Sequence, residues 1–147
     1  MSAANPTVII NIAIDTQALF SQPPGPTNGT GIYMMDNWVS SGSTGQGSSE
    51  LDTKNVQAEE WVGWNVSAID SLGNMGDSVQ ISSFEISDGN NVWGTQGYWQ
   101  AGTGNFQWIA QAQSVGRIIY QVKVGVTTGP DAPVQFYTFD PFLSVVG

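Results

Sequence analysis

Val8, Ile10, Ile12 and Ile14 alternate with Ile9, Asn11, Ala13 and Asp15, and far down the chain Ile118, Tyr120, Val122, Val124 and Val126 again occupy every second position. A period of two in β-branched residues puts one face of a strand into a core. No stretch long enough for a stable helix carries a 3.6-residue period. The best helical candidate, Thr53–Trp61, is short and weakly patterned. The chain is therefore expected to be all-β.

Turn chemistry divides the rest into short strands. Phe20–Gly29 is rich in Pro and Gly and cannot continue a helix or a central strand. A strand around Gly31–Asn37 follows, then Ser40–Ser49, a Gly/Ser stretch that reads as a connector. Val62, Trp64 and Val66 share one face of the next strand. In Ser78–Ser87 the apolar phase switches between Val79/Ile81 and Phe84/Ile86, a slip that a β-bulge at Ser82-Ser83 would absorb. Asp88-Gly89-Asn90-Asn91 is a turn signal. Such a succession predicts one domain over residues 1–147: an antiparallel β-sandwich, jelly-roll or immunoglobulin-like, of about eight strands.

Charge narrows the function. Three basic residues stand against 12 acidic ones, for a formal net charge of −9. Lys54, Arg117 and Lys123 are too few to neutralise a phosphate backbone or an anionic membrane, so neither nucleic acid nor membrane is expected as a partner. The charged fraction is 10%, which leaves Ser, Thr, Asn, Gln and Gly to make most of the surface. With no cysteine and no histidine, thiol, Ser-His-Asp and histidine-ligated metal chemistry are all excluded. Val8–Ile14 is short, interrupted by Asn11 and preceded by no Lys or Arg, so no classical export signal is expected. Nor does any run approach a membrane span. A cytoplasmic protein is expected.

Carboxylates are the remaining candidates for catalysis. Glycosidases hold two across a cleft. Glu59 and Glu60 are adjacent and would point to opposite faces of a regular strand, while Glu85 and Asp88 flank a turn and are expected to face water. No enzyme is expected. Two loops, Asp70–Asp77 and Asp88–Asn91, carry oxygen ligands suited to calcium, but neither matches a calcium-loop pattern, so no metal or cofactor is expected. Six tryptophans bring in carbohydrate, since flat rings stack on sugars. Trp93, Tyr98 and Trp99 would form the platform, with Asp88, Asn90 and Asn91 as polar contacts. The competing role for these rings is to fill the core or seal one end of the sandwich.

Several segments together resemble the PixA/AidA family of bacterial inclusion body proteins. They are Asp15-Thr16-Gln17 after the first strand, Gly31-Ile32-Tyr33-Met34, Glu60-Trp61-Val62-Gly63-Trp64 and the ending Tyr137-Thr138-Phe139-Asp140-Pro141-Phe142. The resemblance spans nearly the whole chain, although four methionines are few beside the methionine-rich named example of that family. It implies a non-enzymatic, self-associating protein of a host-associated bacterium, collected in intracellular inclusions, regulated by quorum or stationary phase and linked to host interaction or virulence. It brings no active-site motif. The expected partners are a second copy of the chain, as a homodimer or larger assembly, and a glycan or host protein. The alternative is a carbohydrate-binding module.

Overall fold

The computed structural model describes residues 6–69, 77–102, 106–127, 129 and 132–147. The chain forms β1 (Val8–Asp15), α1 (Thr16–Phe20), β2 (Gly25–Pro26), β3 (Ile32–Asp36), β4 (Asp52–Gln57), β5 (Trp61–Ile69), β6 (Ser78–Gly89), β7 (Gln100–Ala101), β8 (Trp108–Gln111), β9 (Gly116–Thr127), β10 (Gln135–Phe139) and β11 (Phe142–Val146). One sheet has the order β3-β1-β5-β8-β7. In the other, β9 pairs with β6 on one side and with β10 and β11 on the other, and these in turn carry β2 and β4.

The all-β sandwich expected from the alternation is present, with two differences. Both sheets are mixed, because β1–β5, β2–β10 and β4–β11 are parallel pairs. Among the described residues the strands number eleven rather than eight. The excess has a local cause: β2 and β7 are two-residue pairings, and β10 and β11 lie on one line. Phe139 pairs with Val122 and Phe142 with Ile119, so the register against β9 is unbroken across Asp140-Pro141. Pro141 lacks an N–H, but its carbonyl still accepts from the Tyr120 N–H at 3.0 Å. The ladder thus passes through the proline.

Sequence pattern places the core. Ile10, Ile12 and Ile14 of β1, Val62 and Trp64 of β5, and Ile118, Tyr120, Val122, Val124 and Val126 of β9 are all buried between the sheets. In β6 the register against β9 slips between Ile81 and Ser83, which returns Phe84 to the side of Ile81; this is the bulge expected at Ser82-Ser83. A second slip lies between Ile86 and Asp88. No helix forms over Thr53–Trp61, where β4 ends in a turn before β5. The one α-helix among the described residues, α1, is a single short piece capped by Asp15, whose carboxylate accepts from the Ala18 N–H at 3.2 Å.

Ser40–Ser49 is more than a connector. The Met34 N–H donates to the Ser48 carbonyl at 3.2 Å, the Gly47 N–H to the Met34 carbonyl at 2.6 Å, and the Asp36 N–H to Gln46 Oε1 at 2.9 Å. These bonds occupy the outer edge of β3. The same stretch reaches β4, where Thr44 bridges Asp52 and the Lys54 N–H donates to Ser43 Oγ at 3.1 Å. Two edges of the sandwich are covered by one loop, which blocks strand addition there.

Candidate functional site

Trp93 and Trp99 do not offer ring faces to a sugar. The arm that follows the β6 turn is held by Asn91, which accepts from the Trp93 N–H at 3.1 Å and donates to the Gly94 carbonyl at 3.2 Å. Further along, the Gly97 carbonyl accepts from the Gln111 N–H at 2.9 Å. This folds Val92, Trp93 and Trp99 into the interior, where Trp93 is 0% and Trp99 7% exposed. Trp99 stacks on Phe84 with centroids 5.1 Å apart, Trp93 meets Trp64 edge-on at 5.9 Å, and Tyr120 closes the cluster at 5.9 Å from Trp64. Of the three rings expected to form a platform, only Tyr98 is exposed, at 39%. A segment that reads as polar loop contributes two of the largest core side chains. Its hydrophilic spacing hides that role from periodicity.

Asp88, Asn90 and Asn91 lie on the surface. The Asp88 carboxylate accepts from the Gly89 N–H at 2.9 Å and Asn91 bonds to its own turn, so their oxygens serve the backbone. Residues 70–76 of the other calcium-like loop lie outside the described residues. Asp77, at its end, accepts from Thr16 Oγ1 and from Gln17 Nε2. Among the described residues no group of three or more acidic side chains is placed to hold a metal.

The turn between β4 and β5 brings together groups that sequence reasoning set apart. Glu59 adopts a left-handed backbone with φ 77°, its N–H donating to the Ala112 carbonyl at 2.7 Å. The strand is interrupted there, so the rule that neighbours face opposite ways does not hold. Glu59 and Glu60 line the same open cleft of about 510 Å³ with Ala58, Gln96, Gln111 and Gln113. Gln111 Nε2 donates to the Glu59 carbonyl at 3.0 Å and Gln113 Nε2 to Gln111 Oε1 at 2.8 Å. Among the described residues no Lys or Arg is paired with either glutamate; Lys54 and Arg117 both pair with Asp52. Glu85 and Asp88 remain exposed on β6.

A different feature occupies the outer face of the first sheet. Tyr33 and Met35 of β3 are 42% and 48% exposed. Asn11 lies between Met35 and Asn65, and Ala13 between Tyr33 and Ser67. Asp15 is the one side chain charged at neutral pH among the outward positions of β1, β3 and β5, and it caps α1. The three cations all sit on the outer face of the second sheet. There Arg117 lies 4.8 Å over the Phe142 ring and Lys123 4.9 Å over the Phe136 ring, while Lys54 is beside Asp52.

Two mixed sheets around an aromatic core define the chain as an all-β sandwich. The crystal structure of the inclusion body protein PixA from Burkholderia cenocepacia J2315 superposes with a TM-score of 0.75 at 18% identity, over 95% of this chain and 94% of that one. The PixA resemblance read from the sequence is thus matched by a shared fold. The chain itself belongs to the family described as Domain of unknown function (DUF8788), which it matches over residues 6–130. No curated protein matches it. Among the described residues no helix is long and apolar enough to cross a membrane.

Proposed function

We propose that this chain is a non-enzymatic, self-associating protein of the inclusion body type, accumulated at high level inside the cell and tied to host association. The observation that supports the reading is the overlap of fold with the inclusion body protein PixA over 95% of this chain. Composition supports it: the surface is poor in charge, and neither thiol nor imidazole is present. The test is light scattering of purified protein over a wide concentration range, beside microscopy of cells that overproduce it. Growth of mass with concentration and dense bodies in the cells are expected. A mass that stays at 15.6 kDa throughout would overturn the reading.

A carbohydrate-binding role is a second reading, and one observation favours it. Glu59, Glu60, Gln96, Gln111 and Gln113 set planar hydrogen-bonding groups around one concave surface, two residues along the chain from exposed Tyr98. Carboxylates and carboxamides in such a cleft suit sugar hydroxyls. A glycan array, run with calcium and with chelator, checks this. Binding that Gln111→Ala or Tyr98→Ala abolishes would support it, and a blank array would remove it.

A further inference from the structure

We infer that the outer face of the β3-β1-β5 sheet is where a second copy of this chain docks, face to face. The inference rests on the self-association proposed above and assigns it a surface. Three observations converge. First, the outward positions of β1, β3 and β5 carry one charged side chain, the capping Asp15, on a chain whose net charge is −9. Two copies brought together on this face bring few carboxylates against one another, which lowers the repulsion that the net charge imposes.

Second, its polar groups are self-complementary. Asn11 and Asn65 are register neighbours on parallel strands, and neither amide is hydrogen-bonded to another described residue. A carboxamide is both donor and acceptor, as is the Tyr33 hydroxyl, so an identical surface can satisfy it. A patch of carboxylates or ammonium groups could not pair with its own copy in this way. A two-fold contact requires this property, because each residue meets the same patch on its partner.

Third, the apolar part is placed for stacking of faces and not for joining of edges. Tyr33 and Met35 stand out from β3, whose outer edge is bonded to Ser48, Gly47 and Gln46. Aromatic and methionine side chains are the types enriched at the centre of interfaces. At the other end of the face, Pro6 and Phe106 pack over Gly63, where a Cβ would come within 2.8 and 2.7 Å of them. That cover ends the flat region and leaves the rows of Asn11 and Ala13 open.

The experiment is sedimentation velocity on the full chain and on single variants. Met35→Glu adds a charge at an exposed position. Asn11→Asp adds one with almost no change of shape, so it guards against a folding defect, which circular dichroism and thermal melting would register. Each is expected to raise the dissociation constant at least about tenfold with the melting temperature unchanged. Phe136→Glu, on the outer face of the other sheet, is expected to leave the association as in the wild type. Association untouched by Met35→Glu and Asn11→Asp, or lost in Phe136→Glu alone, overturns the surface and leaves self-association standing. A wild-type chain that is monomeric at every concentration sinks the proposed function itself.

Discussion

Tyr120 shows how a single residue ties the two sheets. Its ring comes from β9 and its hydroxyl accepts from Trp64 Nε1 of β5 at 3.2 Å, in a site closed to water. Burial pushes the hydroxyl well above the usual tyrosine range, a shift that the Trp64 bond only partly offsets. The unfolded chain would ionise this group near pH 10 while the folded one holds its proton. Stability from this source is therefore complete below about pH 10 and falls as the pH rises further. Tyr120→Phe leaves the Trp64 N–H without its acceptor and is expected to cost about 1–3 kcal/mol at neutral pH. It should also flatten the alkaline decline. Urea midpoints at neutral pH and above pH 10, for both proteins, check the two effects. A variant whose stability falls as steeply as the wild type's above pH 10 would show that Tyr120 is not the group responsible.

At the scale of elements, the covered edge of β3 explains how a surface poor in charge and rich in hydroxyls and amides avoids unwanted strand pairing. Gly47 is the pivotal position: its φ is +86° and its N–H satisfies the Met34 carbonyl. Gly47→Pro imposes a φ near −65° and removes the donor. It is expected to lift the loop from the edge, lower stability by about 1–3 kcal/mol and start assembly that binds an amyloid dye. Melting curves and dye fluorescence against time check it, and an unchanged melting temperature with no dye signal would refute it. The loop's role was not legible in its sequence, because Gly and Ser give no periodicity and its bonds run from backbone to a distant strand. What could be read was local. The alternation of β1 and β9 predicted their buried faces, and the phase switch in β6 predicted its bulge. The parallel β1–β5 pairing was hidden because its partners lie far apart in the chain. The shared cleft of Glu59 and Glu60 was hidden for another reason: a left-handed glutamate interrupts the strand where a regular pleat would separate them.

For the whole molecule, the balance between repulsion and cohesion is set almost entirely by carboxylates. There is no histidine, so no side chain of ordinary pKa titrates between about pH 6 and 8. The net charge of −9 is consequently almost constant across that range and vanishes only near the pI of about 4.1. Cohesion across the proposed face, whose outward strand positions carry Asp15 as their one charged side chain, changes little with pH, whereas the repulsion opposing it does. Assembly should therefore be nearly flat between pH 6 and 8 and rise steeply as the pH falls toward 4. Salt should mimic mild acid, because at 1 M the screening length is about 3 Å and the carboxylates of two copies no longer sense one another. Light scattering at fixed protein concentration, along a pH series at low salt and a salt series at pH 7, tests both. Assembly that salt dissolves would mean that charge pairs hold the copies together. The cations of the second sheet, Lys54, Arg117 and Lys123, would then be the contact in place of the Tyr33–Met35 face.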